Sequence, residues 1–183
     1  MSKYFFLKLP LAITLVLASW VSSCASSLIL KNAPTEVYFS PNGGSQDAII
    51  AVINRAQKTI LVQAYSFTSA PIAEALKRAH DFGVNVSVIL DRSQETGRYS
   101  GLTYLQHAGI PTWVDHRHAI AHNKVMIIDH NIVVTGSFNF TKSAEKNNAE
   151  NTIIITDTQL AQLYINNWQL HKEHARLVLA KKY

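Results

Sequence analysis

Two short segments concentrate residue types able to act on an anionic phosphodiester. The first reads His122-Asn123-Lys124-Val125-Met126-Ile127-Ile128-Asp129. On a strand, side chains two apart share a face, so His122 and Lys124 are predicted to point into one site. An imidazole there can attack phosphorus or move a proton, while a fixed ammonium offsets charge on the non-bridging oxygens. The second segment, Gly136-Ser137-Phe138-Asn139-Phe140-Thr141, alternates polar and aromatic residues. Ser137 and Asn139 then share a face and can hydrogen-bond phosphate oxygens, with Phe138 and Phe140 directed the other way. Each segment alone is weak: His-x-Lys is common, and Gly-Ser-Phe-Asn after a strand is ordinary turn chemistry. The combination, with Ser137 eight positions after Asp129, is far more specific.

The elements around these segments read as one α/β unit. Glu36–Phe39 is a short strand candidate before a Pro41-Asn42-Gly43-Gly44 turn, and Ser45 can cap a helix to about Gln57. Thr59–Ser66 is a β-branched strand. Ser69 and Pro71 open a helix to about Phe82, with Gly83 as its stop, and Val84–Leu90 follows as a strand. This strand–helix–strand order predicts a mixed, mainly parallel β-sheet flanked by helices on both faces. A further helix is expected over about Gly101–Ala108 and a strand over Ile110–Val114. Lys124–Ile128 and Ile132–Thr135 read as a hairpin around Asp129-His130-Asn131. Asn151–Thr156 is another strand, and Asp157 is expected to cap a helix running through about Leu179.

Composition bounds the alternatives. With 183 residues, 48% of them hydrophobic, the chain can bury one sizeable core but not two comfortable ones. A formal charge of +5 suits an anionic partner such as nucleic acid or phospholipid. One cysteine excludes an internal disulfide framework and a multi-cysteine zinc site. Residues 1–25 begin with Lys3 and Lys8, continue through an apolar run from Leu9 to Val21, and end in Ser23-Cys24-Ala25. This is the pattern of an export signal peptide, which implies a periplasmic or secreted product of residues 26–183. A retained N-terminal anchor is the other reading, although the apolar run is short against the roughly 20 residues of a membrane span. Val21-Ser22-Ser23-Cys24 also resembles an imperfect lipoprotein box, with Cys24 as the lipid acceptor. Removal of the segment would take away Lys3 and Lys8, leaving fifteen basic against twelve acidic side chains, or +3.

Other residues invite blander readings. His116-Arg117-His118, with His122, could suggest metal ligands, but no Cys or Glu at ligand spacing accompanies them, and substrate contact or solvation fits better. His171 and His174 lie on the last helix and read as packing or surface residues, Trp113 and Trp168 as core, and Lys181-Lys182 as solvated. Asp91 and Arg92 follow a strand end, where α/β ligand sites gather.

The spacing H-x-K-x4-D followed by G-S-x-N resembles the HKD signature of the phospholipase D superfamily, with His122, Lys124, Asp129, Gly136, Ser137 and Asn139 in register. Tyr65-Ser66-Phe67-Thr68, Thr96-Gly97-Arg98 and Glu150-Asn151 extend the resemblance to its small bacterial periplasmic endonuclease branch, over about residues 36–175. It implies a metal-independent phosphodiesterase without cofactor that forms a covalent phosphohistidine. His122 would be nucleophile in one subunit and acid in the other. Lys124 and Asn139 would bind phosphate, Ser137 would support it by a hydrogen bond, and Asp129 would support the hairpin. Glu150 maps best to the acid that orients the catalytic imidazole, with Glu145 the weaker candidate. The chain holds one HKD copy, so the resemblance implies a homodimer with a composite site. The expected substrate is DNA, with RNA as a second candidate; the alternative is a phospholipase D-type phosphatidyl hydrolase or transferase.

Overall fold

A computed structural model describes residues 26–97 and 100–179. One eight-stranded sheet organises them: β1 (Thr35–Ser40), β2 (Thr59–Ala64), β3 (Asn85–Asp91), β4 (Thr112–Asp115), β5 (Lys124–Ile128), β6 (Ile132–Gly136), β7 (Glu150–Thr156) and β8 (Arg176–Val178). Their spatial order is β1-β7-β6-β5-β2-β3-β4-β8. The helices are α1 (Ser45–Asn54), α2 (Ala70–Asp81), α3 (Leu102–His107), α4 (Lys142–Lys146) and α5 (Thr158–His174).

The expected mainly parallel sheet is wrong. Only β2–β3 and β3–β4 pair parallel, the two places where a helix returns the chain to the same end. The other five pairings are antiparallel. The physical cause is connection length. A parallel neighbour needs a crossover of a dozen or more residues. The β4–β5 link has no helix and crosses only the end of the sheet, so β5 runs back against β2. The β5–β6 link is the three-residue turn Asp129-His130-Asn131, closed by the Asn131 N–H donating to the Ile128 carbonyl at 3.0 Å.

Helices do cover both faces. One core gathers Ile49, Val52 and Ile53 of α1, Ile72 and Leu76 of α2, Leu102 and Leu105 of α3 and Ala144 of α4 against one side of the sheet. On the other side Ala161, Ile165 and Trp168 of α5 pack on Ile89, Val125, Ile127 and Val133. Trp168 is 3% exposed, and its indole N–H donates to the Val62 carbonyl at 2.9 Å; the Trp113 ring meets it edge-on with centroids 6.2 Å apart. The α5 helix ends at His174 rather than near Leu179. Ala175 is extended, and Arg176–Val178 pairs antiparallel with β4, satisfying the outer edge of that strand. No helix among the described residues is long and apolar enough to cross a membrane. Met1–Ala25, which contain the signal pattern and Cys24, lie outside the described residues, as do Arg98 and Lys181-Lys182.

Candidate active site

The link from β4 to β5 delivers His122. It leaves Asp115, passes over the C-terminal end of β3, and enters β5 beside β2. Two bonds fix its arrival. The Ala121 N–H donates to Asp91 Oδ2 at 2.7 Å, and the Tyr65 N–H donates to the Asn123 carbonyl at 2.8 Å. Asp91 is 2% exposed and also accepts the Ser93 N–H at 2.9 Å. Burial pushes its carboxyl up, but the Ser93 and Ala121 hydrogen bonds and the Arg92 charge outweigh that and hold it below the usual range. Asp91 is therefore a clamp on the loop before His122, not a strand-end ligand group.

His122 is exposed, with its ring against Tyr65 at a centroid distance of 4.6 Å. Lys124, two residues on, is buried at 7% exposure. Its Nζ donates to the His122 carbonyl at 2.8 Å and stands 5.3 Å from the centre of the Tyr65 ring. Burial lowers the Lys124 pKa, while the negative charge of Glu150 partly restores it. Glu150 opens β7 and accepts a hydrogen bond from Asn148 Nδ2 at 3.0 Å.

The Gly136–Asn139 turn approaches from β6. Gly136 has φ +144°, a region that only glycine enters readily. Ser137 Oγ accepts the Asn151 N–H at 3.0 Å, and the Ser137 and Phe138 N–H groups donate to the Asn151 carbonyl at 3.1 and 3.2 Å. Phe138 and Phe140 are buried at 2% and 1% exposure, on the side opposite exposed Ser137. Phe140 meets Phe67 edge-on at 6.1 Å, and its carbonyl accepts the Thr68 and Ser69 N–H groups at 2.9 Å. The apolar residues thus anchor the turn that carries the polar ones. Asn139 Oδ1 is buried without a hydrogen-bond partner. A buried polar atom left unpaired costs about 1–3 kcal/mol, and such cost is commonly retained where a ligand completes the bonding.

Asp129 and Glu145 belong to the frame. Asp129 stands at the far end of β5 from His122. Its carboxylate accepts N–H bonds from Gln57 at 2.9 Å, Lys58 at 2.8 Å and Thr59 at 2.9 Å, fixing the entry of β2. Burial raises its carboxyl and these bonds, with the Lys58 charge, lower it further than that, so it is held below the usual value. Glu145, 6% exposed, accepts the Gln46 N–H at 3.0 Å in the first turn of α1. The residue preceding that helix is Gly44, which makes no side-chain cap; the expected Ser45 cap is absent and Ser45 is buried inside the helix.

The sequence reading missed one cluster. His118, His171 and His174 all face the buried carboxylate of Asp115. Asp115-x-x-His118 and His171-x-x-His174 are its only linear trace. His116 instead pairs with Glu95 at 3.1 Å, not with His118 or His122.

The model of the family described as "Cardiolipin synthase, PLD-like domain" matches residues 49–171. A Rickettsia felis protein named phospholipase D is 48% identical over 130 residues, 71% of this chain. The match spans 65% of that relative, just under two thirds of its length. The fold superimposes on Nuc from Salmonella typhimurium, a phospholipase D family member, with TM-score 0.78 and 36% identity, covering 81% of this chain and 99% of that one. NucT from Helicobacter pylori gives TM-score 0.73 at 25% identity, covering 80% and 99%. An imidazole and an ammonium gathered around Tyr65 at one sheet end, with a glycine-hinged Ser-Phe-Asn turn, make a phosphodiester-hydrolase type of site, and the chain belongs to the phospholipase D superfamily.

Proposed function

We propose that the chain is an exported, metal-independent endonuclease that cleaves DNA with little sequence preference, with RNA as a second polymer. The observation that carries the reading is the exposed His122, its ring against Tyr65 and its carbonyl accepting the buried Lys124 ammonium, at an open sheet end. An extended polyanion can approach such a site without entering a deep cavity. The surplus of basic side chains favours the same class of substrate.

In this mechanism one His122 nitrogen attacks phosphorus. The bond to the leaving oxygen breaks, and a second imidazole protonates that oxygen. Water then attacks the phosphohistidine and releases His122. Lys124 and the Asn139 amide N–H hold the non-bridging oxygens through both steps. Ser137 holds the turn against β7. Glu150 orients an imidazole and sets its tautomer. His122 is the one histidine in an H-x-K context. The others nearby are engaged with Asp115 or Glu95, and His130 lies at the opposite end of β5. The acid is therefore His122 of a second copy, in a homodimer with twofold symmetry. The signal pattern over residues 1–25 supports a periplasmic or secreted location, with a lipid anchor if Cys24 is retained.

The 48% identity to a protein named phospholipase D favours a second reading, a phosphatidyl hydrolase or transferase, since the reacting group is a phosphodiester in both. Purified protein assayed on plasmid DNA, on RNA and on phosphatidylcholine vesicles separates them. The expected result is DNA cleavage that persists in excess EDTA and vanishes in His122→Ala. Choline release without DNA cleavage would give the second reading. DNA cleavage that needs an added dication and survives His122→Ala would refute the mechanism in either form.

A further inference from the structure

Asp115 closes β4 and is fully buried. Its Oδ1 accepts the Arg117 and His118 N–H groups at 2.9 and 3.2 Å, which fixes the plane of the carboxylate. Its Oδ2 faces three imidazole nitrogens: His118 Nδ1 at 2.8 Å, His171 Nδ1 at 3.1 Å and His174 Nε2 at 3.3 Å. The rings crowd together, with centroids 4.8 to 5.4 Å apart. His171 and His174 are 15% and 18% exposed, so this is not a solvated surface group.

Hydrogen bonding alone explains this arrangement poorly. A carboxylate oxygen offers two lone pairs, and three ring nitrogens converge on one oxygen. A single cation satisfies all four groups at once. Zinc takes imidazole nitrogen at about 2.0–2.1 Å and carboxylate oxygen at about 2.0–2.2 Å, so donors on a tetrahedron stand roughly 3.3 Å apart. The four ligand atoms already lie within 4.8 Å of one another, and the three nitrogen-to-oxygen separations, 2.8–3.3 Å, are near that edge length. Three imidazoles and one carboxylate, without thiolate, select a borderline transition-metal dication over magnesium or calcium. The backbone bonds to Asp115 Oδ1 supply the outer-shell support that oriented metal ligands carry.

We propose that Asp115, His118, His171 and His174 form a structural site for a zinc-class dication. The ligands come from the end of β4, the loop that follows it, and the last turn of α5, so the ion would tie α5 to the loop that delivers His122. Asp91 holds the other end of the same loop at Ala121, and Asp91 and Asp115 are register partners on β3 and β4. The ion would thus pin the loop at its start as Asp91 pins it at its finish. It has no part in the reaction at His122.

The test is zinc binding by full-length purified protein carrying no polyhistidine tag, stripped with a chelator that is then dialysed away. Calorimetric titration should show one zinc ion per chain, and zinc should raise the thermal midpoint. Cobalt in its place should give the visible absorption of a tetrahedral nitrogen–oxygen site. His118→Ala, at an exposed loop position, and His171→Gln should each weaken zinc binding at least about tenfold, the loss that even an outer-shell defect produces. His122→Ala and His116→Ala should bind zinc as the wild type does. Absence of saturable binding would overturn the proposal. So would zinc binding that is unchanged in His118→Ala and His171→Gln together, or that is lost in His122→Ala. None of these readouts uses DNA or lipid, so they stand apart from the outcome of the substrate assays.

Discussion

Gly136→Ala should separate the site from the fold. A Cβ at Gly136 would lie 2.2 Å from the Asn151 carbonyl oxygen, 3.0 Å from its carbon and 3.2 Å from Asn151 Nδ2. Ordinary contact begins near 3.5 Å, so β6 and β7 must part by roughly 1 Å at this point. The clash is with backbone, which cannot rotate away. The φ of +144° adds strain of about 1–3 kcal/mol, and overpacking typically adds about 1–3 kcal/mol more. A loss of about 2–6 kcal/mol is expected against the roughly 5–15 kcal/mol that stabilises a domain. The oxygen that would be displaced is the acceptor for the Ser137 and Phe138 N–H groups, so the turn carrying Asn139 moves with it. A displacement of that size costs on the order of a hundredfold in rate. Gly83→Ala is the control: φ there is +90°, but nothing lies within 4 Å of the added methyl. It should lose about 1–2 kcal/mol and no activity. Urea unfolding gives the stabilities, and hydrolysis of bis(p-nitrophenyl) phosphate gives the rate without choosing between DNA and lipid. Equal stability losses for the two variants, with Gly136→Ala still fully active, would refute the argument.

Three further perturbations probe the frame and the charge of the site. Asp129→Asn should cost about 1.5–3 kcal/mol at neutral pH, because an amide group replaces one acceptor of three N–H bonds. The wild-type Asp129 carboxyl is lowered in the fold, so its contribution is present above its unfolded value and fades as pH falls through the lowered one; urea unfolding across the acid range should show Asp129→Asn losing that dependence. Asp91→Asn should destabilise by about 1–3 kcal/mol and lower kcat more than it raises KM, since it frees Ala121 beside His122; an unchanged kcat would remove Asp91 from the positioning of that residue. Lys124 must be protonated to meet phosphate and burial lowers its pKa, so kcat/KM should be lost with rising pH before an ordinary lysine, near 10.5, would titrate. An alkaline limb at or above that value would contradict the burial argument.

Much of this was readable from the chain because local rules and global packing agree. The β5–β6 hairpin, the alternation that buries Phe138 and Phe140, and the Ser69 cap of α2 each depend on nearest neighbours. Strand direction was not local. Strand–helix–strand order foretold the parallel β2–β3 crossover correctly, but nothing in the residues of β5 states that it returns beside β2. The end of α5 was misjudged because helical periodicity continues past His174, and only the open edge of β4 explains why Arg176–Val178 extends instead. Asp115 and His171 are 56 residues apart, and a histidine spacing on one helix gives no sign of a carboxylate on a distant strand.

The position of Asp129 gives the spacing of the signature a meaning of its own. His122 and Lys124 stand at one end of β5 and Asp129 at the other, with five residue steps, about 17 Å, from Lys124 to Asp129. The interval from Lys124 to Asp129 is therefore a ruler laid across the sheet. With Asp129 fixed to the start of β2, one inserted residue would turn Lys124 to the opposite face, and two would restore the face but carry it about 7 Å, to the station His122 now holds. A chain can keep every lettered residue of such a pattern and lose its chemistry by miscounting the unlettered ones.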